Sequence, residues 1–336
     1  MRAALLCVTS VVGFLTCWAP FCKAEEEVLV FATQVAATSP QNTEINHPWA
    51  KRVNEQGKGA IRIEVRDGPT IANATNAFTR LMDDVIQLSP ISLGYVSGRF
   101  PLGDVVNLPL ISNKGKAASI AFWRLYKSGL LDEEFKDVVP LQVVAYPQAG
   151  LHMKGPPPSL NDLHGLKIQA GGKVLSNTVS RLGATPISLS VVELYEALQR
   201  GTVDGTAIHY MTFPTFKFDE VTSYHIDFPL SSWPIILAMP KKRYDALSPA
   251  ARKVLVDNGG EQQSALWGDF YDRLDQTSRA AVEAKKGRHT IVVPSKAEAD
   301  AWRAKISPVL DDWAKSVKGG EQVLRAYRAE IEKATN

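Results

Sequence analysis

The sequence predicts an α/β protein of two lobes, with mainly parallel sheets and a long bent helix crossing both lobes. Short apolar runs alternate with amphipathic helical stretches along most of the chain, the pattern of a parallel sheet covered by helices. About 310 residues remain behind an N-terminal leader, more than one core usually organises. Late in the chain a helical pattern runs from Ser248 to about Ala284 with Gly259-Gly260 inside it. Each of those glycines costs about 1 kcal/mol relative to alanine, so a bend that bridges two bodies is expected there. Two helices joined by an ordinary loop are the alternative.

The leader comes first. Arg2 gives a positive start, Ala3 to Trp18 is apolar without an acid, and Cys22-Lys23-Ala24 ends in a small residue before Glu25. These are the parts of a secretory signal peptide cleaved after about Ala24, which implies a periplasmic protein. The apolar run is too short for a membrane span of about 20 residues, and Pro20 interrupts it. All three cysteines, Cys7, Cys17 and Cys22, fall in the leader, so the mature chain holds no disulfide and no thiolate metal site. Thr16 and Phe21 stand before Cys17 and Cys22, where a lipid anchor needs a small residue. The leader takes two of the 38 basic residues and none of the 35 acids, leaving a charge near +1. That balance gives no broad basic surface for nucleic acid or anionic membrane. With 45% hydrophobic residues and no low-complexity tract the chain is globular, and a monomer is expected.

The elements follow in order. Val28 to Ala32 is an apolar run suited to a buried first strand, and Thr33 to Asn42 is a polar loop. Glu44 to Glu55 reads as a helix on a face through Ile45, Trp49 and Val53, stopped by Gly57 to Gly59. Ile61 to Val65 alternates apolar and polar residues, the mark of a half-exposed strand. A helix from Ala74 to Asp84 leads into a strand from Val85 to Leu93, toward Tyr95, and Leu141 to Tyr146 is the first crossing between lobes. Leu166 to Ala170 is a strand followed by a helix from Val174 to Leu182. Ser190-Val-Val-Glu193 is a capping box that starts another helix, ended by Gly201. Trp233 to Met239 returns to the first lobe, Ser248-Pro249 caps the long helical run, and His289 to Val293 is a late strand. The first lobe is thus 25–148 plus about 229–260, and the second is 149–228 plus about 261–336.

Catalytic templates fail together. No histidine has a partner three or four residues away, so with no thiols a zinc site is not expected. The nucleophile elbow, the phosphate loop and the dinucleotide-binding glycine pattern are all missing. A secreted hydrolase or lyase stays as the remote alternative to a binding protein without cofactor or metal.

Open α/β sheets bind ligands beyond the carboxyl ends of their strands. That rule nominates Ser39 and Asn42, Tyr95, His152, Gln169, and His209 with Tyr210, while Trp233 lies where a cleft between lobes would have its floor. Donors, acceptors and flat rings of this kind orient and enclose a small molecule. Strand alternation puts Lys167 on the face of Gln169 and adds it to the set. Each has a structural reading too: Tyr95 and Trp233 as packing residues, His152 as a partner of a backbone carbonyl, Ser39 and Asn42 as turn residues. Asp204-Gly205 reads as a turn.

Three stretches, Asp162-Leu-His-Gly-Leu-Lys-Ile-Gln169, Leu182-Gly-Ala-Thr-Pro-Ile187 and Tyr195-Glu-Ala-Leu-Gln-Arg-Gly-Thr-Val-Asp-Gly205, resemble in order and spacing the solute-binding proteins of tripartite ATP-independent periplasmic (TRAP) transporters, the DctP family. Tyr244-x-x-Leu-Ser-Pro-x-x-Arg-Lys-Val-Leu255 matches the start of that family's long helix, and the resemblance extends from Val28 to about Lys333. It implies a non-catalytic protein that closes on an extracytoplasmic solute and delivers it to a membrane permease pair. Gln169 stands where the family usually has an arginine that grips a carboxylate, and a second common arginine is missing from Ala149-Gly-Leu-His152. Thr206-Ala-Ile-His209 replaces a stretch that is usually more polar, and Asp84 stands where glycine is common. An arginine fork makes two charge-assisted bonds where glutamine offers one neutral donor and one acceptor. These departures speak against a dicarboxylate or sialic-acid-like solute; what the resemblance implies is an organic monocarboxylate, held by His152, Lys167 or backbone amides, with a neutral or amphoteric solute as the alternative.

Overall fold

The computed structural model describes residues 26–335 except 97 and 161; the leader and its cleavage point lie outside them. The chain lays down β1 (Glu27–Ala32), β2 (Ile61–Arg66), β3 (Ser89–Ser92) and β4 (Val138–Ala145). It then crosses and builds β5 (Gly150–Met153), β6 (Lys167–Gln169), β7 (Thr185–Ile187), β8 (Gly205–Ile208) and β9 (Tyr224–Ile226). It returns as β10 (Pro234–Pro240) and later adds β11 (Thr290–Val292) to the second lobe.

In the first lobe β1 pairs with β2, and a bridge from Phe31 to Leu88 connects β1 to the approach of β3, beside which lie β10 and β4. The second lobe is ordered β11-β9-β5-β8-β6-β7. Each sheet is parallel except for one strand, β10 in the first and β5 in the second. Those two are the strands that have just crossed from the other lobe, so the interchange itself explains the reversal. Burial follows the expected patterns: Ile61 and Ile63 are buried while Arg62 is exposed, and central β10 is buried throughout. The capping box at Ser190 and Glu193 forms, and Gly201 ends that helix at φ 74°. Asp84 adopts φ 58°, a left-handed conformation in which a glycine is free of strain.

The helical run divides at the paired glycines into two helices, Pro249–Asp257 and Gly260–Glu283, which is the alternative reading, joined by a bend at Asn258 and Gly259, where Gly259 is extended at φ −122° and ψ −155°. Gly259 lies so close to β4 that a Cβ there would be 2.5 Å from the Leu141 carbonyl oxygen, and Gly260 has φ 81°. The Trp49 indole, on the helix His47–Gln56, donates to the Asn258 carbonyl at 2.7 Å and fixes the bend to the first lobe.

The C-terminal residues need a correction. Expected wholly in the second lobe, they divide: Trp302 and Ile306 of the helix Lys296–Ile306 pack into the second core. Helices Pro308–Ser316 and Gly320–Thr335 instead bury Val309, Leu310, Trp313, Leu324 and Tyr327 in the first core beside Phe122 and Leu125. The first lobe's helix Gly115–Lys127 packs on its own sheet and on Gly320–Thr335, which covers the rest of its apolar face.

Two carboxylates one turn apart tie Gly260–Glu283 to both lobes. Asp272 accepts from the backbone N–H of Gly115 at 2.7 Å and of Lys116 at 3.0 Å, capping Gly115–Lys127. Asp275 accepts from the N–H of Met211 at 2.9 Å in the second lobe. Replacing Asp272 by alanine removes a helix cap, and a loss of about 1–2 kcal/mol is expected. It is read as a lower urea midpoint with an unchanged slope; an unaltered midpoint would show that the tie contributes nothing.

Candidate functional site

A cavity of about 220 Å3 lies between the lobes. The first lobe contributes the loop Thr33 to Val35, Gln41 and Asn46, then Tyr95 past β3 and Tyr146 past β4. Gln169 at the end of β6, Gly171 past it, Val191 and the run Ala207 to His209 come from the second lobe, and Trp267 and Tyr271 from the long helix. The strands end here because the parallel strands of both sheets point their carboxyl ends at the cleft.

Trp233 forms the floor at the return crossing. Its ring is held between Gly94 of the first lobe and Gly171 of the second, where added Cβ atoms would lie 2.5 Å and 3.2 Å from it. Tyr95 packs on it with ring centres 5.4 Å apart. Burial raises the pKa of the Tyr95 hydroxyl, opposed by the backbone N–H of Val191 on the other side of the cleft. The hydroxyl's own proton stays available to a ligand. Tyr146 and Tyr271 hydrogen-bond through their hydroxyls, with burial pushing Tyr271 up to about 12.

Gln169 is buried in the wall with its amide oriented by the fold. Its Oε1 accepts from the Thr206 hydroxyl at 2.6 Å, and its Nε2 donates to the Leu189 carbonyl at 2.9 Å. One Nε2 proton remains. His209 is 7% exposed, and burial drives its pKa down to about 3 despite a hydrogen bond to the Pro147 carbonyl. Nε2 of that ring has no partner, nor has Oε1 of Gln41.

Among the described residues no charged side chain lines this cavity. Charge is met in an outer groove of about 950 Å3 that shares Tyr95 and Gly171 with it and is lined by Asp104, Lys173, Glu193 and Asp312. There burial raises Asp104 to about 6, opposed by the Asn107 amide and by Lys173.

Of the nine nominated residues, four line the inner cavity: Gln169, His209, Tyr95 and Trp233. The other five are placed elsewhere. His152 is fully buried, its Nε2 donating to the Ile208 carbonyl at 3.0 Å and its Nδ1 meeting His225 Nδ1 at 3.0 Å. It lies on the reversed strand β5, whose carboxyl end points away from the cleft. Tyr210 donates to Asp227 at 2.9 Å and packs on His152 in the second core. Lys167 is exposed at the entry of β6, opposite the end that reaches the cavity. Asn42 turns inward, its Nδ2 contacting Val35, Ala36 and Asp67, and its Oδ1 accepting from Asn46. Ser39 accepts from the Asn42 N–H at 3.3 Å. Both shape the loop that lines the cavity without lining it. Asp204 is the expected turn residue, its carboxylate accepting from the Lys167 N–H at 2.8 Å.

Tyr146, Gln41 and Tyr271 were missed. The strand-end rule reaches Tyr146 directly, since it ends the first crossing strand. Tyr271 had no such signal, because the face a bridging helix turns to a cleft depends on how the lobes sit.

With two lobes, crossing strands and an uncharged interlobe cavity, the geometry is that of a solute-binding protein. The profile of the family described as bacterial extracellular solute-binding protein, family 7, matches residues 31–316. The chain belongs to that family, whose members bind and transport solutes and are not enzymes. A TRAP solute-binding protein from Rhodoferax ferrireducens, crystallised with copurified benzoate, superposes with a TM-score of 0.85 at 28% identity, covering 92% of this chain and 98% of that one. One from Bordetella bronchiseptica with bound mandelate gives 0.82 at 25% identity over 91% and 99%. The Comamonas testosteroni protein named outer membrane transporter protein TsaT is 24% identical over 92% of this chain and 93% of its own length. Among the described residues no helix is long and apolar enough to cross a membrane, and no group of three or more His, Cys, Asp or Glu could hold a metal ion.

The buried imidazoles make a testable acid response. Burial lowers His152 to about 3, well below the ordinary value of 6.5. Between those values the unfolded chain binds a proton there that the native chain does not, so stability falls as pH falls, by about 1.4 kcal/mol per pH unit for this residue. In the His152→Phe variant the slope of unfolding free energy against pH between 6 and 4 should flatten by about that amount. An identical slope in urea titrations would mean that His152 is protonated in the native state.

Proposed function

We propose that this protein captures a small single-ring monocarboxylic acid between its lobes and delivers it to the membrane permease subunits of a TRAP transporter. The observation that carries this reading is the uncharged, ring-walled interlobe cavity. At about 220 Å3 it falls below the roughly 300–1,000 Å3 of pockets for drug-sized ligands, a fit to one ring rather than two. Tyr95, Trp233, Tyr146 and Phe216 supply flat apolar surface. The structural relatives named above hold benzoate and mandelate, each a ring bearing one carboxylate. Here the acid group would be received by neutral donors: the free Nε2 proton of Gln169, the Tyr95 hydroxyl and backbone amides where Gly171 starts the helix Gly172–Arg181, which has no side-chain cap. The leader ending near Ala24 agrees with capture outside the inner membrane.

One observation favours a neutral solute instead: an unpaired carboxylate in a dry cavity costs several kcal/mol, and no cation lines this one. Calorimetry with benzoate and benzamide separates the two. The acid reading expects benzoate to bind more tightly and to be recovered unchanged; preference for benzamide establishes the neutral reading, and turnover of either ligand overturns both. Gln169→Ala should weaken binding by about 1 kcal/mol or more, the range for losing a hydrogen bond and leaving its partners unpaired. Gln169→Arg should keep or raise affinity for benzoate and abolish it for benzamide. Unchanged affinity in both variants would remove Gln169 from the ligand contacts.

A further inference from the structure

His209 holds a lone pair that the fold does not use. The ring is buried in the cavity wall, and the Pro147 carbonyl beside it favours a proton on the nitrogen that faces it. A carbonyl only accepts, so the nitrogen facing it carries the proton. Because Nε2 has no partner, that nitrogen is Nδ1, and in a neutral imidazole the other nitrogen is then an acceptor. Pro147 thus favours the Nδ1–H tautomer before any ligand arrives.

Nothing in the adjoining wall serves Nε2. The Thr212 hydroxyl is committed to the His209 carbonyl at 2.7 Å, and the Ser232 hydroxyl to the Tyr146 carbonyl at 2.6 Å. Tyr146 meets the His209 ring edge-on at 5.4 Å, but its hydroxyl is engaged with Tyr271. A buried acceptor left unpaired disfavours the filled cavity, and only the occupant is left to pair it.

We infer that the solute carries a hydrogen-bond donor separate from its acid group, a hydroxyl or an N–H, and gives it to Nε2 of His209. This rests on the proposed capture of a small acid by the same cavity, and it narrows the class to hydroxy- or amino-substituted ring acids. A carboxylate brings no proton, so the acid group itself cannot fill the role. His209 is thereby a specificity-determining residue: it selects against ligands that present carbon at this point of the wall.

The test is calorimetry on the intact mature protein with matched pairs, the 2-, 3- and 4-hydroxybenzoates against the corresponding methylbenzoates, which replace the donor by a group of similar size. At least one hydroxy acid should bind about tenfold more tightly than its methyl partner, as expected when a buried acceptor would otherwise be unpaired. That preference should vanish in His209→Phe and persist in His209→Gln, whose amide oxygen can still accept. Acids that bind with no preference in any pair overturn this inference while leaving acid capture intact, as does a preference that survives in His209→Phe. If no acid binds, the acid-capture reading falls and this inference with it.

Discussion

The long helix Gly260–Glu283 grips both lobes within a single turn, and the geometry of the cavity depends on that grip. Asp272 caps a helix of the first lobe, and Asp275 accepts from the backbone of the second. Burial lifts Asp275 to about 7 against the opposing amide bonds of Met211 and Tyr210. A buried carboxyl is tolerated here because it meets backbone N–H groups that would otherwise lie unpaired in the same interior. Tyr271 stands immediately before this pair and faces the cavity. The residues that tie the two lobes and a residue that lines the cavity thus share one turn of the helix. A change in the angle between lobes would alter the spacing of Tyr146, from the first lobe, and His209, from the second, around Tyr271.

Charge is sorted by depth. Lys173, Asp104 and Glu193 line the outer groove, while the inner cavity is walled by rings, amides and hydroxyls. Asn42 shows how the inner wall is kept neutral yet ordered. Its buried amide ties Asn46 and the loop from Val35 together one layer behind the surface, so that Gln41 and Asn46 are presented without an ion pair. The imidazoles of His152, His225 and His289 do the same for the second lobe, linked at 3.0 Å in series from half-exposed His289 to the Ile208 carbonyl. With that carbonyl accepting from His152, each ring in the series has one donor and one acceptor assigned, and all three are neutral.

The fold was legible from local signals because they agreed with one another. Alternation marked β2, the capping box at Ser190 marked a helix start, and Gly259-Gly260 marked the bend. The last two helices were misplaced because an amphipathic stripe tells that a helix packs and leaves open against what. The cavity lining was legible where strands are parallel: Gln169, His209 and Tyr95 follow from the strand-end rule. It failed at His152 because β5 is the one reversed strand of its sheet, and a reversed strand presents its first residues to the cleft. Asn42 failed differently, since the loop was right but its side chain turns to bond backbone within it. Direction of pairing and direction of side chain are both tertiary facts.

Glutamine at 169 also changes what closure requires of the free protein. An arginine enclosed without its carboxylate would be an unpaired buried charge, which opposes closure by several kcal/mol until a solute neutralises it. Gln169 carries no such penalty, because Thr206 and Leu189 already satisfy most of its amide. A closed arrangement would then carry no such penalty before binding, and a ligand would shift the population only by its differential affinity for that state. In the proposed capture, the solute would contribute by filling apolar volume between Trp233 and the tyrosines and by pairing the few polar atoms the fold leaves open. Selectivity in such a site is set less by charge than by which of those atoms a ligand can satisfy.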